Sequence, residues 1–363
     1  MILYQIALSL IPNIGDITAK KLVAYCGGVE AVFKEKKKNL MKIPGVGEFF
    51  ANAVVNQNVM KRAEEELKFI HKYKITTLFY LDQAYPNRLK HCYDAPVMLY
   101  YKGNADLNAS KIISIVGTRR ATDYGKSACK KIVEDLVPQN VTVVSGLAYG
   151  IDSCAHKAAL EFNLLTVAIL AHGLDRIYPP QNKTLAEKMI NHGGLLTDYM
   201  SKTIPDRENF PSRNRIIAGI ADATIVIEAG RKGGALITAE IANSYNRDVF
   251  SLPGRIHDEF SEGCNRLIKT HKAALIESAA DVEYIMGWEM KTKKTKRQQR
   301  ELFTELAPEE ETVLNIISQN NESSIDFITV ESNLPMSKVA AVLLNLEFKG
   351  IIVSLPGKLY RLN

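Results

Sequence analysis

Cysteine is scarce in this chain and poorly placed for bonding. There are five in 363 residues, at positions 26, 92, 129, 154 and 264, and no two form a Cys-x-x-Cys pair. That pattern builds neither a disulfide framework nor a zinc site, and it predicts a reducing, cytoplasmic setting. Long apolar runs are missing too: none approaches the ~18 residues of a membrane span. The start, Met1-Ile2-Leu3-Tyr4, shows no basic n-region or small-residue cleavage site, so no secretory signal is expected. Neither Gly-x-Gly-x-x-Gly after the first central strand nor Gly-x-x-x-x-Gly-Lys-[Ser/Thr] occurs, which argues against a nicotinamide dehydrogenase and a P-loop ATPase. His156 and His172 have no evident nucleophile to serve, and Asp152 and Asp175 read as capping and loop-bonding groups. The sequence therefore assigns no catalytic residue, metal ligand or cofactor. A net charge of +6 permits a polyanionic partner without requiring one.

What is present is a soluble globular composition, 46% hydrophobic and 24% charged, long enough for two or three domains at ~150 residues each. Residues 1–62 read as an all-helical, SAM-like domain with two glycine hairpins, Ile11-Pro12-Asn13-Ile14-Gly15 and Ile43-Pro44-Gly45-Val46-Gly47. Such turns expose amides that can take a phosphate oxygen, although Asn13 stands where a glycine is usual. Residues 63–287 form the main domain: an extension with strands near 76–81 and 97–101, then strand, loop and helix repeated to about residue 280. Its strand candidates (112–116, 141–144, 165–170, 195–197, 223–228, 249–252) are continuously apolar, which implies burial on both faces and a mostly parallel sheet. The fold class is α/β, a Rossmann-like doubly wound sheet. Residues 288–304 are a basic linker carrying Lys291, Lys293, Lys294, Lys296, Arg297 and Arg300. Residues 305–363 read as a winged helix, with Ser337 capping its third helix and Pro356-Gly357 turning its wing. Eight acids against four bases from Glu305 onward, and an apolar third helix, suit protein contact better than a DNA groove.

The loops after the parallel strands share one edge of such a sheet, and that edge is where ligands bind. The first is Gly117-Thr118-Arg119-Arg120. The second runs from Ser145 and Gly146 to Asp152. The third is His172 to Pro180. The fourth carries Arg207, Phe210, Arg213, Asn214 and Arg215 within nine residues. Arginine donates to phosphate in a planar fork and a phenylalanine face can stack a base. Arg213 and Arg215 lie two apart on a helix and point to different sides, so one can pair with an acid inside the fold. A further glycine-rich loop, Gly230-Arg231-Lys232-Gly233-Gly234, opens the next helix and suits an anion.

These segments together resemble the DprA/Smf family of DNA-processing proteins of natural transformation. The likeness rests on Ile115-Val116-Gly117-Thr118-Arg119, Ser145-Gly146-Leu147-Ala148-Tyr149-Gly150-Ile151-Asp152, Phe210-Pro211-Ser212-Arg213-Asn214-Arg215-Ile216, Gly233-Gly234-Ala235-Leu236-Ile237-Thr238-Ala239, Leu252-Pro253-Gly254 and Gly263-Cys264-Asn265-Arg266. The resemblance implies a homodimeric, non-catalytic binder of single-stranded DNA that loads the RecA recombinase. It implies a site of Gly117, Thr118, Arg119, Ser145, Gly146, Arg207, Phe210, Arg213 and Asn214, to which the chemistry of the residues themselves adds Arg215, Lys232 and Gly233; the two bases at Arg231-Lys232 depart from the family. Two other readings compete. A nucleoside monophosphate phosphoribohydrolase of the lysine-decarboxylase-like type would need a Pro-Gly-Gly-x-Gly-Thr-x-x-Glu loop, and residues 230–235 lack its proline and Gly-Thr step. A transcription regulator would need a winged helix less acidic than this one.

Overall fold

The structure, a computed structural model, describes residues 1–288, 307–320, 323–355 and 359–362. The basic run from residue 289 and the Pro356-Gly357 turn lie outside the described residues. Two compact units are present, 1–291 and 292–363.

The first unit begins with helices α1 (Ile2–Leu10), α2 (Asp16–Cys26), α3 (Val29–Lys34), α4 (Lys37–Leu40), α5 (Glu48–Val55) and α6 (Met60–Tyr73). The two hairpins of this region are built alike. Ile14 N–H donates to the Ile11 carbonyl in one, and Val46 N–H to the Ile43 carbonyl in the other. Asn13 takes a φ of 65°, the counterpart of Gly45 at 81°. Asparagine tolerates that left-handed conformation better than other side chains, so the departure from glycine leaves the turn intact. The apolar faces of these helices share one core with Phe79, Val97, Met98 and Tyr100 of the strands that follow.

Nine strands form the central sheet: β1 (Thr76–Phe79), β2 (Met98–Gly103), β3 (Ile112–Val116), β4 (Thr142–Ser145), β5 (Thr166–Ile169), β6 (Gly193–Thr197), β7 (Ala223–Val226), β8 (Asp248–Ser251) and β9 (Ala274–Leu275). Their order is β1-β2-β6-β5-β4-β3-β7-β8-β9. The strands from β3 to β9 pair in parallel, while β1 and β2 extend the sheet antiparallel. Alternate residues of β3 explain its unbroken apolar run. Ile113 and Ile115 enter the core on one face of the sheet, and Ile112 and Val116 enter the core on the other. Between the strands lie α7 (Asn87–Lys90), α8 (Asp123–Asp135), α9 (Ile151–Glu161), α10 (Lys183–Asn191), α11 (Asn209–Ile220), α12 (Gly234–Ser244), α13 (Glu262–Lys269) and α14 (Ala279–Ile285). The chain winds β3-β4-β5-β6 in one direction, then returns to place β7 beside β3 on its other flank. That reversal opens a crevice at the carboxyl ends of β3 and β7.

The second unit contains α15 (Pro308–Gln319), β10 (Ser323–Ser324), α16 (Ile325–Ser332), α17 (Met336–Phe348), β11 (Ile352–Leu355) and β12 (Leu359–Leu362), a winged helix with sheet order β10-β12-β11. The third helix starts at Met336 with Pro335 in the capping position, not at a Ser337 cap. Proline suits this place because its φ is preset and no backbone donor is lost inside the helix. Among the described residues no single helix is long and apolar enough to cross a membrane.

Candidate nucleic-acid interface

The crevice beside β3 and β7 holds a cavity of 590 Å³ lined by Gly117, Thr118, Arg119, Arg213, Asn214 and the 229–235 loop, among others. Its first wall is the corner after β3, which backbone contacts hold tightly. Thr118 N–H donates to the Glu228 carbonyl (2.8 Å), Ile151 N–H to the Thr118 carbonyl (3.2 Å), and Arg120 N–H to Thr118 Oγ1 (3.1 Å). A Cβ on Gly117 would lie 2.5 Å from Ile151 Cγ1, so only glycine lets α9 pack this close. Gly150 has φ +77° and faces the Thr118 carbonyl at a distance no Cβ could share. With those amides engaged, the corner offers mainly the exposed Arg119 side chain.

The facing loop is the complement. The helix α12 starts at Gly234 with Gly233 as its cap, and Gly233 contributes no side-chain bond there. No protein acceptor is recorded for the Gly233 or Gly234 N–H among the described residues, so both are available to an anion at a helix N-terminus. The exposed Arg231 and Lys232 flank them. Asn214 is buried, and its side-chain amide reaches the Gly234 carbonyl at 3.4 Å, setting the loop's place.

Beside the cavity runs a cation–aromatic row. The Arg119 guanidinium lies 5.2 Å from the centroid of the Phe210 ring, and Phe210 lies 6.0 Å from Tyr178 at an interplanar angle of 53°. Sequence reasoning missed Tyr178. The loop that carries it is pinned by His172, whose Nε2 accepts from Tyr178 N–H (3.2 Å), leaving Nδ1 to donate to the Gly173 carbonyl (2.9 Å). Burial keeps the His172 pKa below the usual range, so the neutral tautomer persists. Arg120 is exposed, its guanidinium 5.4 Å from the Phe260 ring and 3.9 Å from Glu259. Arg207 is exposed, with no ion pair or hydrogen bond recorded among the described residues.

Several predicted residues are placed elsewhere. Ser145 is fully buried and its hydroxyl donates to the Ile115 carbonyl (2.6 Å), so it braces β3 against β4 and does not line the pocket. Gly146 is buried beneath Arg213, whose guanidinium donates to the Gly146 carbonyl (2.7 Å) and to that of Ile169. Arg213 forms part of the cavity floor but is only 4% exposed, and burial lowers its pKa to about 10 despite the nearby Asp152. Asp152 accepts from Ala148 N–H (3.3 Å), and burial raises its pKa. Arg215 turns the other way. It pairs with Asp16 (2.9 Å) and Asp198 (3.1 Å) and donates to the Asp94 carbonyl (2.5 Å). Both arginines thus serve the fold, each satisfying buried carbonyls or carboxylates with a long forked donor.

His156 is completely buried, bonded through Nδ1 to Thr166 Oγ1 (2.7 Å), and burial drives its pKa down to about 3. It stays neutral at physiological pH and lies outside the cavity. Among the described residues no group of three or more His, Cys, Asp or Glu side chains is placed to hold a metal ion.

Comparison with known proteins identifies the family. The family model for DNA recombination-mediator protein A matches residues 76–286, and that for the DprA winged helix domain matches residues 298–358. The protein Smf of Synechocystis sp. is 33% identical over 99% of this chain and 98% of its own length. The DNA processing protein DprA of Streptococcus pneumoniae is 42% identical over 58% of this chain and 73% of its own length. The X-ray structure of S. pneumoniae DprA superposes with a TM-score of 0.68 at 34% identity, covering 78% of this chain and 98% of that one. A structure of the Helicobacter pylori DNA processing protein A, described for its single-stranded DNA binding mode, gives 0.54 at 28% identity, covering 59% and 95%. The chain belongs to the DprA/Smf family of DNA-processing proteins.

Proposed function

We propose that this protein binds single-stranded DNA without cleaving it, as a homodimer, and passes the strand to the RecA recombinase during natural transformation. The observation that carries the binding step is the pairing of a cation–aromatic row, exposed at Arg119 and Tyr178 and half-buried at Phe210, with a glycine loop whose amides are free at a helix N-terminus. A single strand has an exposed base face and a bare phosphate at every step, and the two walls match those two features. The H. pylori relative's binding mode supports the same ligand. Arg119, Lys232 and Gly233 take phosphate, Gly117 and Thr118 form the corner that presents Arg119, Phe210 stacks a base, and Arg207 adds charge at the approach. Arg213, Asn214 and Gly146 support the floor from below.

The winged helix is read as a protein-contact module. Two of its bases are already engaged by acids, Lys338 with Glu309 and Lys349 with Glu310. Meanwhile α17 exposes Met336, Leu344 and Phe348, the last 83% accessible.

The test is a gel-shift titration of single-stranded against duplex DNA across a salt series. Wild type should prefer the single strand. Arg119→Ala should weaken it by at least tenfold and reduce the log–log salt slope by about 0.7, the value for one lost phosphate contact. Unchanged affinity in Arg119→Ala would remove this site from the reading.

A further inference from the structure

A second cationic cleft lies away from the β3 corner, where the end of α6 meets the end of β2. It has a volume of 560 Å³, and its lining includes Lys72, Tyr73, Lys74, Lys102 and Asn191 but no acidic side chain. The ammonium groups of Lys72 and Lys102 lie 5.3 and 5.8 Å from the Tyr73 ring centroid, so the two charges are held within about 11 Å of each other. Neither they nor Lys74 forms an ion pair among the described residues, whereas many exposed lysines of this unit do. A cation in the last turn of a helix is favoured by the helix dipole, which accounts for Lys72. It does not account for Lys102, which arrives from a different element, or for Lys74 in the left-handed cap beyond the helix.

The cleft is built rather than loose. Phe69 holds the Tyr73 ring at 4.7 Å, and Tyr73 remains 43% exposed. Asn104 closes the floor, donating to the Asn191 carbonyl (2.9 Å) and accepting from Gly193 N–H (2.8 Å). Two ammoniums against one aromatic ring, with Lys74 lining the same cleft, repeat with lysine for arginine the chemistry of the Arg119 row. We propose that this cleft is a second contact for the phosphate backbone of the same single strand, engaged only when the strand is long enough to leave the first site. This rests on the strand-binding reading above. The registers across β2, β6, β5, β4 and β3 place Gly103 level with Ser114 and four strands away. At ~4.8 Å per strand that lateral step alone is roughly 20 Å, and the cleft lies toward the amino end of β6 while Arg119 lies beyond the carboxyl end of β3, so the two sites are farther apart than the lateral step.

The experiment compares wild type with the combined variant Lys72→Ala, Lys74→Ala, Lys102→Ala on (dT)4 and (dT)30, each over a salt series. The variant should keep its thermal midpoint and its affinity for the tetramer. It should lose about tenfold in affinity for the 30-mer, with the salt slope reduced by about 2, as three lost phosphate contacts require. Equal affinity and slope for the 30-mer would overturn the second contact and leave the first site standing. A loss that is the same for both oligomers would also overturn it, since the effect would then be general charge. Wild type that binds neither oligomer would overturn the strand-binding reading itself.

Discussion

Arg213 and Arg215 show what a residue type can and cannot announce. The spacing of two on a helix correctly separates their directions. It leaves open which direction faces solvent, and here neither does. Arg215 is held by carboxylates from α2 and from the end of β6, residues 199 and 17 positions away in sequence, and no local pattern reveals such partners. Removing it would leave Asp16 and Asp198 facing each other at low exposure, and burial already raises the Asp198 pKa. Arg215→Ala should therefore destabilise the first unit by about 3–5 kcal/mol, the usual cost of stranding a buried charge. Thermal or urea unfolding would measure it, and any loss of DNA affinity should track unfolding rather than precede it. Arg119 was legible for the opposite reason: a corner after a parallel strand exposes whatever follows the glycine.

At the scale of elements, the strands were legible because burial on both faces leaves an unambiguous apolar run, and β3 matches its expected limits. The other expected strands shift by one or two residues at an end, because hydrogen bonding to neighbours, not hydrophobicity, sets where pairing stops. What the pattern did not show is how closely the β3 corner and α9 approach. Gly150 carries that approach: it combines a φ of +77° with a backbone contact that excludes a Cβ. Gly150→Ala should cost about 1–3 kcal/mol for the backbone conformation alone, and it should displace the Thr118-Arg119 segment. The check is paired: a lowered unfolding midpoint together with weaker single-strand binding at temperatures where the variant is still folded. Weaker stability with full affinity would show that the corner tolerates the shift.

The whole molecule responds to acid through buried histidines, one of which, His156, lies outside the candidate site. His156 titrates near 6.5 when unfolded, but in the folded unit its pKa is lowered to about 3 by burial. Between those values the unfolded chain binds a proton that the folded one refuses. Stability contributed this way is complete above pH 6.5 and drains as the pH falls toward 3, by roughly 1.4 kcal/mol per unit. His172, lowered by the same cause, acts in the same sense. Urea midpoints of wild type should drop across this window, and His156→Gln, which cannot charge, should flatten the decline. A slope unaltered in that variant would assign the acid sensitivity to other groups. The alternating strands and helices of the parallel sheet and the elements of the winged helix could be read from periodicity and turn signals. The mutual packing of the N-terminal helices with β1 and β2 could not, because each side of that core is a short, ordinary amphipathic segment.

The Asp16–Arg215 pair also sets a timetable. Its two members are separated by 199 residues. At about 5–20 residues per second of synthesis, the acid emerges roughly 10–40 s before its arginine. During that interval α1–α6 have most of their own helical core, but Leu174 and Met200, which pack against it, are not yet made. The nascent N-terminal region must therefore wait with an open apolar flank. Its final seating, and with it the position of the helix that presents Phe210, cannot precede the synthesis of α11.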